Sequence, residues 1–73
     1  MERWDKIAAV RKMQDYMEDN LHNSISLSQL ARAAGHSQWH SSRIFKEITG
    51  KTPFDYLRTL RLSKAAEVLR TKQ

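Results

Sequence analysis

Residues Ser26 to Gly50 read SLSQLARAAGHSQWHSSRIFKEITG, a stretch with two helix-start signals, Ser26 and Ser37, on either side of Gly35. Ser26 stands three residues before Gln29. Its hydroxyl can accept from the Gln29 backbone N–H while the Gln29 side chain reaches back, the reciprocal arrangement of a capping box. A helix is therefore predicted from Leu27. Ala31, Ala33 and Ala34 favour it and keep its surface thin, and Gly35 supplies the left-handed residue that ends it after about two turns. Ser37 caps the next helix, Gln38 to about Thr49, which runs without Gly or Pro until Gly50 closes it in the same way. Two short helices joined by a tight glycine turn form a helix-turn-helix, whose second helix is the one shaped to enter a major groove.

The 3.6-residue period divides that second helix into two faces. Ile44, Phe45 and Ile48 share one face with position 41, and this face is core. Trp39, Ser42, Arg43 and Lys46 recur at i, i+3, i+4 and i+7 and form a stripe pointing the other way. An aromatic ring, a hydroxyl and two cations can press on a thymine methyl, bond a base edge, clamp guanine or phosphate, and neutralise backbone charge. The bland alternative puts Trp39 in the core and leaves Arg43 and Lys46 as solubilising charges, since Trp is usually mostly buried.

Working outward, the flanks read as helices too. Toward the N-terminus, Ile7, Val10, Met13 and Met17 recur at steps of three and four, so a helix is expected from about residue 5 to 20 with Asp5 as its N-cap and Leu21 to Ile25 as a turn. Ile25 is placed as a hydrophobic staple before Ser26. Toward the C-terminus, Thr52 caps, Pro53 takes the first helical position and Asp55 sits in the first turn, opening a helix over about 53–71. Phe54, Leu57, Leu60, Leu62, Ala65, Val68 and Leu69 give that helix an apolar side wider than the helix-turn-helix can cover. The fold class is all-α, a bundle of about four helices forming one subdomain over 1–73.

Composition narrows the partners. With 73 residues the chain can bury only about three-fifths of its unfolded surface, so it should be marginally stable alone. Cysteine is absent, which removes disulfides, thiolate nucleophiles and Cys-containing zinc sites and suits a reducing cytoplasm. Neither a bilayer-spanning apolar run nor a signal-peptide pattern is seen, so a membrane is not an expected partner. The net charge is +5, and it is unevenly placed: Met1 to Asn23 has four cations against five anions, whereas Ser24 to Gln73 has nine against three. A polyanion facing the second part is the natural partner; charge alone does not separate double-stranded DNA from RNA or an anionic membrane, and it is the helix-turn-helix that points to duplex DNA.

These residues carry a resemblance. From about Val10 to Leu69 the chain resembles the first helix-turn-helix subdomain of the AraC/XylS family of bacterial transcription activators. The features are ISL before the first helix of the pair, AAG at its end, S.WH..R.FK in the second, and G.TP..YL..LRL after it. Within the family it is most similar to the small stress and multidrug-resistance activators. The resemblance implies a homeodomain-like fold whose last helix is a linker to a second helix-turn-helix subdomain, which does not begin before Gln73. It implies a cytoplasmic, nucleoid-associated protein, with RNA polymerase as a further partner. It makes Trp39, Ser42 and Arg43 the base-reading positions. Gln38, His40, Lys46, Thr52 and Arg61 are expected along the DNA backbone, with internal pairing left open for Arg61. Position 41, usually large and apolar in the family, is Ser41 here and predicts a less filled core.

An enzyme is not expected. The Ser and Thr residues are explained as caps or exposed polar positions, and a Gly-rich phosphate loop or paired-carboxylate signature is missing. His36 and His40 are four apart, a metal-binding spacing within one helix, but the turn separates them, and neither metal nor cofactor is expected. The competing class is a small helical protein-interaction module, docking through the Trp39 stripe or the surplus apolar side of the last helix. Salt separates the two, because DNA binding weakens steeply with added salt and apolar docking does not.

Overall fold

A computed structural model describes residues 2–71 of the chain, with side chains to Leu69; Met1 and residues 72–73, at the ends of the expected 1–73 span, lie outside the described residues. Four helices follow one another: α1 (Arg3–Asp19), α2 (Leu27–Ala34), α3 (Gln38–Thr49) and α4 (Pro53–Thr71). The described residues contain no strand, and the fold is the expected all-α helix-turn-helix bundle.

The caps show why the chain breaks where it does. Ser26 Oγ accepts from Gln29 N–H at 3.2 Å and Gln29 Oε1 accepts from Ser26 N–H at 2.8 Å, so both halves of the capping box form. Gly35 ends α2 at φ +78°, where its N–H and that of His36 both donate to Ala31 O, at 2.9 and 3.1 Å. Ser37 Oγ then accepts from His40 N–H at 3.1 Å, only two residues later, which makes the turn tight. The start of α1 differs from expectation. Glu2, not Asp5, is the N-cap, and Asp5 is the third helical residue whose Oδ2 accepts from Glu2 N–H at 3.3 Å. A carboxylate at that position serves the helix start by reaching back to it, so the helix gains two residues upstream.

Packing follows the predicted stripes except at Ile7, which is half-buried and outside the core, while Ala9 is buried in it. Ala9, Val10, Met13 and Met17 of α1 meet Leu30 and Ala34 of α2, Ile44 and Phe45 of α3, and Leu57 of α4 in one core. Ile25 and Ile48 lie partly buried against it. Phe45 is fully enclosed and meets the Tyr56 ring edge-on at 5.2 Å, while Tyr56 Oη accepts from Gln14 Nε2 at 3.2 Å. That chain of contacts ties α4 to α3 and α1 together. Beyond Leu60, α4 runs past the end of α1, with Lys64 Nζ 3.8 Å from Glu18 Oε2 and with Ala65 and Val68 lining a cavity shared with Leu21 and His22; the molecule measures 47 by 21 by 16 Å, and Leu62 and Leu69 are two-thirds exposed. Of the apolar side read from the sequence, Leu57 is buried and Leu60 half-buried, while Phe54, Leu62 and Leu69 are exposed.

Ser41 lies where the 3.6 period places it, at 0% exposure among the core residues of α3. Its hydroxyl has no hydrogen-bond partner. A buried hydroxyl without a partner costs roughly 1–3 kcal/mol of desolvation, and Ser is also a poorer helix former than Ala. Ser41→Ala should therefore raise the unfolding free energy by about 1 kcal/mol, read as a melting temperature about 4–8 °C higher for a domain of this size. A lower melting temperature would show that the hydroxyl is satisfied in solution.

Candidate nucleic-acid interface

The outward face of α3 is set by its inward one. With Ser41, Ile44 and Phe45 buried, the residues half a turn away must face solvent. Trp39 is 69% exposed, which rules out the reading that plugs it into the core. Arg43 lies over its ring, with Cζ 5.2 Å from the ring centroid, a cation–π pair one turn apart on the helix. Trp39, Ser42, Arg43, Lys46 and Glu47 line one shallow depression. Ser42 is half-buried within it, whereas Arg43 and Lys46 are exposed. The structure thus brings together the three residues expected to read bases and Lys46 beside them.

The positions expected along the backbone divide. Gln38 is exposed at the first residue of α3, and half-buried His40 follows, its ring edge-on to His36 at 5.2 Å and 6.4 Å from Trp39. Among the described residues, no group of three or more His, Cys, Asp or Glu is placed to hold a metal ion. Thr52 lies at the start of α4, where its Oγ1 accepts from Asp55 N–H at 3.2 Å. With the Asp55 carboxylate in the same first turn, this helix start already has an acceptor and an anion of its own. Arg61 is farther away in function. Its Nε donates to Leu21 O at 3.1 Å and its Nη2 to Asn23 O at 2.8 Å. The last turn of α1 has no cation of its own, and Arg61 brings one from α4 to the carbonyls just past that helix end. Of the two roles left open for Arg61, internal pairing is the one the structure contains.

Two members of the site were not singled out from the sequence. Glu47 lies one turn beyond Arg43, and its carboxylate is held by Lys6 of α1, whose Nζ is 3.1 Å from Oε1 and 3.0 Å from Oε2. The i, i+4 spacing of Arg43 and Glu47 was visible. Lys6 was not, because 41 residues separate it from Glu47 and only the packing of α1 on α3 joins them.

The family model described as a helix-turn-helix domain matches residues 30–73, more than half of the chain. The chain belongs to the AraC-type helix-turn-helix family. As a member of that family it is a DNA-binding helix-turn-helix subdomain. It is 39% identical over 66 residues to the right origin-binding protein of Escherichia coli, a match covering 90% of this chain and 23% of that protein. To the transposon Tn10 TetD protein of Escherichia coli it is 44% identical over 55 residues, covering 75% and 40% of the two chains. The multiple antibiotic resistance protein MarA of Salmonella typhimurium is 33% identical over 61 residues, with coverages of 84% and 48%. The chain therefore spans from about a quarter to about half the length of these relatives. No solved structure matches it. No helix of the described residues is long and apolar enough to cross a membrane.

If Arg61 holds the chain together, Arg61→Met, which keeps the apolar stem, should lower the unfolding free energy by about 1 kcal/mol, discounted for exposure from the usual value for charged hydrogen bonds. Urea unfolding checks this. An unchanged midpoint, with a smaller salt slope of duplex binding, would instead give Arg61 to a phosphate.

Proposed function

We propose that α3 enters the major groove of duplex DNA, with Trp39, Ser42 and Arg43 toward the base edges and Gln38, His40 and Lys46 along the flanking phosphates. The observation that carries this reading is the exposed Trp39 with Arg43 over its ring on the outward face of a helix whose other face buries Ser41, Ile44 and Phe45. Exposure alone does not distinguish Trp39, since Trp4 of α1 is 77% exposed; what sets Trp39 apart is Arg43 over its ring with Ser42 and Lys46 on the same face. That group suits a surface that stacks, hydrogen-bonds and neutralises phosphate together. Arg43 is the specificity element, because a guanidinium can bond guanine O6 and N7 together, and Ser42 is shielded enough to act only where a base edge comes close. Lys46, at the far end of the stripe, is a point charge suited to phosphate. Thr52 is a lesser backbone contact, since its oxygen already serves as a helix cap.

One reading head covers few base pairs, so this subdomain alone binds duplex at about the 10⁻⁴ to 10⁻⁶ M level of non-specific contacts. Specific affinity comes from a second head linked to it. The bare apolar side of α4, with Phe54, Leu62 and Leu69 exposed, supports α4 as the linker onto which a second helix-turn-helix packs, and the greater length of the relatives leaves room for one. The regulator works in the cytoplasm at the nucleoid, has no enzymatic step, and by its resemblance to activators takes RNA polymerase as a further partner.

Binding of variants to matched and mismatched duplexes tests the assignment. Arg43→Ala should cost about 1–3 kcal/mol on the matched site and relax discrimination at one base pair, whereas Lys46→Ala should weaken all sequences about equally and reduce the salt slope by about one. Equal losses on matched and mismatched sites for Arg43→Ala would remove that residue from base readout.

A further inference from the structure

The DNA-facing depression of α3 contains one residue of the wrong sign. Glu47 is the only carboxylate in α3, and it lines the same depression as Trp39, Ser42, Arg43 and Lys46. An anion there opposes phosphate approach. It also stands four residues from Arg43, the spacing at which opposite charges on a helix meet. Left alone, the Glu47 carboxylate would draw the Arg43 guanidinium along the helix surface and offer it a bidentate partner. In the structure neither happens. The Lys6 ammonium of α1 straddles both carboxylate oxygens, at 3.0 and 3.1 Å, and Arg43 lies on the Trp39 ring instead.

We infer that Lys6 is a positioning residue for base readout: by occupying and neutralising Glu47 it leaves Arg43 on Trp39, held on an aromatic platform in the direction of the base edges. Lys6 is the more covered of the two partners, with its side chain 28% exposed against 52% for Glu47. The ammonium thus approaches from the body of the protein, while the carboxylate is the part that would otherwise face the DNA. As a contribution to folding alone, such an exposed ion pair is worth little. Its weight lies in what it keeps apart. The inference rests on Arg43 reading bases, as proposed above.

Six proteins test it: the full chain, Lys6→Met, Glu47→Gln, the double variant, Lys6→Arg and Arg43→Ala, each titrated by fluorescence anisotropy. The two probes are a 20-base-pair duplex selected in vitro with this chain and a scrambled duplex of the same composition, and melting temperatures are followed alongside. Lys6→Met should weaken binding about tenfold on the selected duplex and about threefold on the scrambled one, so that discrimination falls. Glu47→Gln alone, which removes an anion from the depression and frees Lys6, should strengthen binding about twofold on both duplexes, yet added to Lys6→Met it should restore selected-duplex binding to within about twofold of the parent. Lys6→Arg should keep parental discrimination. The inference is overturned if Glu47→Gln strengthens binding by the same factor in both backgrounds, or if Lys6→Met lowers only the melting temperature and leaves discrimination intact. Arg43→Ala separates this from failure of the underlying reading. Lost discrimination for Arg43→Ala with none lost for Lys6→Met sinks only the role of Lys6; unchanged discrimination for Arg43→Ala sinks both.

Discussion

Burial of one face of α3 is the constraint on which the rest depends. Twelve residues are too few for a helix to persist in water by itself, so α3 exists because Ile44 and Phe45 are enclosed against α1, α2 and α4. That enclosure fixes the rotation of α3 about its axis, and the rotation turns Trp39 and Arg43 outward. The reading surface is thus a consequence of the core, with Met13, Met17 and Leu30 as much responsible for it as any polar residue. Among the described residues, the buried side-chain polar atom without a partner lies on the same helix, at Ser41, behind the stripe that faces out.

Much of this was legible in the chain because it rests on local rules. Caps act across three residues, so Ser26 with Gln29, Ser37 with the His40 N–H, and Thr52 with the Asp55 N–H could each be read in isolation, and each forms. The faces of α3 follow from a period that a twelve-residue helix cannot escape. The start of α1 was misplaced for an instructive reason. Asp5 does serve the helix start, but from the third position reaching back to Glu2, and an acidic residue suits either role. What could not be read are the pairings across long separations. Arg61 reaches the carbonyls of Leu21 and Asn23, and Lys6 reaches Glu47, each about 40 residues away and each settled by how helices pack. Arg61, for which a place at phosphate was one of two expected roles, is thus bonded inside the chain.

The molecule is asymmetric in completeness. Its N-terminal three helices bury their apolar stripes against one another, whereas α4 buries Leu57 and then continues with Leu62 and Leu69 exposed. In a domain this small, leaving such side chains bare is costly, and this is the observation behind the proposal that a second unit packs on α4. Arg61 fixes the direction in which that surface is presented, by anchoring α4 to the turn after α1. The relatives, which extend well beyond the matched segment, are consistent with a second packed unit there.

The central claim is that α3 presents its outward stripe to duplex DNA, and a titration of isotope-labelled chain with a 20-base-pair duplex, followed by backbone amide shifts at low and then moderate salt, tests it most directly. The account predicts shifts gathered on residues 38–46, with smaller ones near 52–55, that reverse as salt is raised. Shifts confined to the apolar side of α4, broadening with protein concentration and indifferent to salt, would contradict it and make the chain an interaction module.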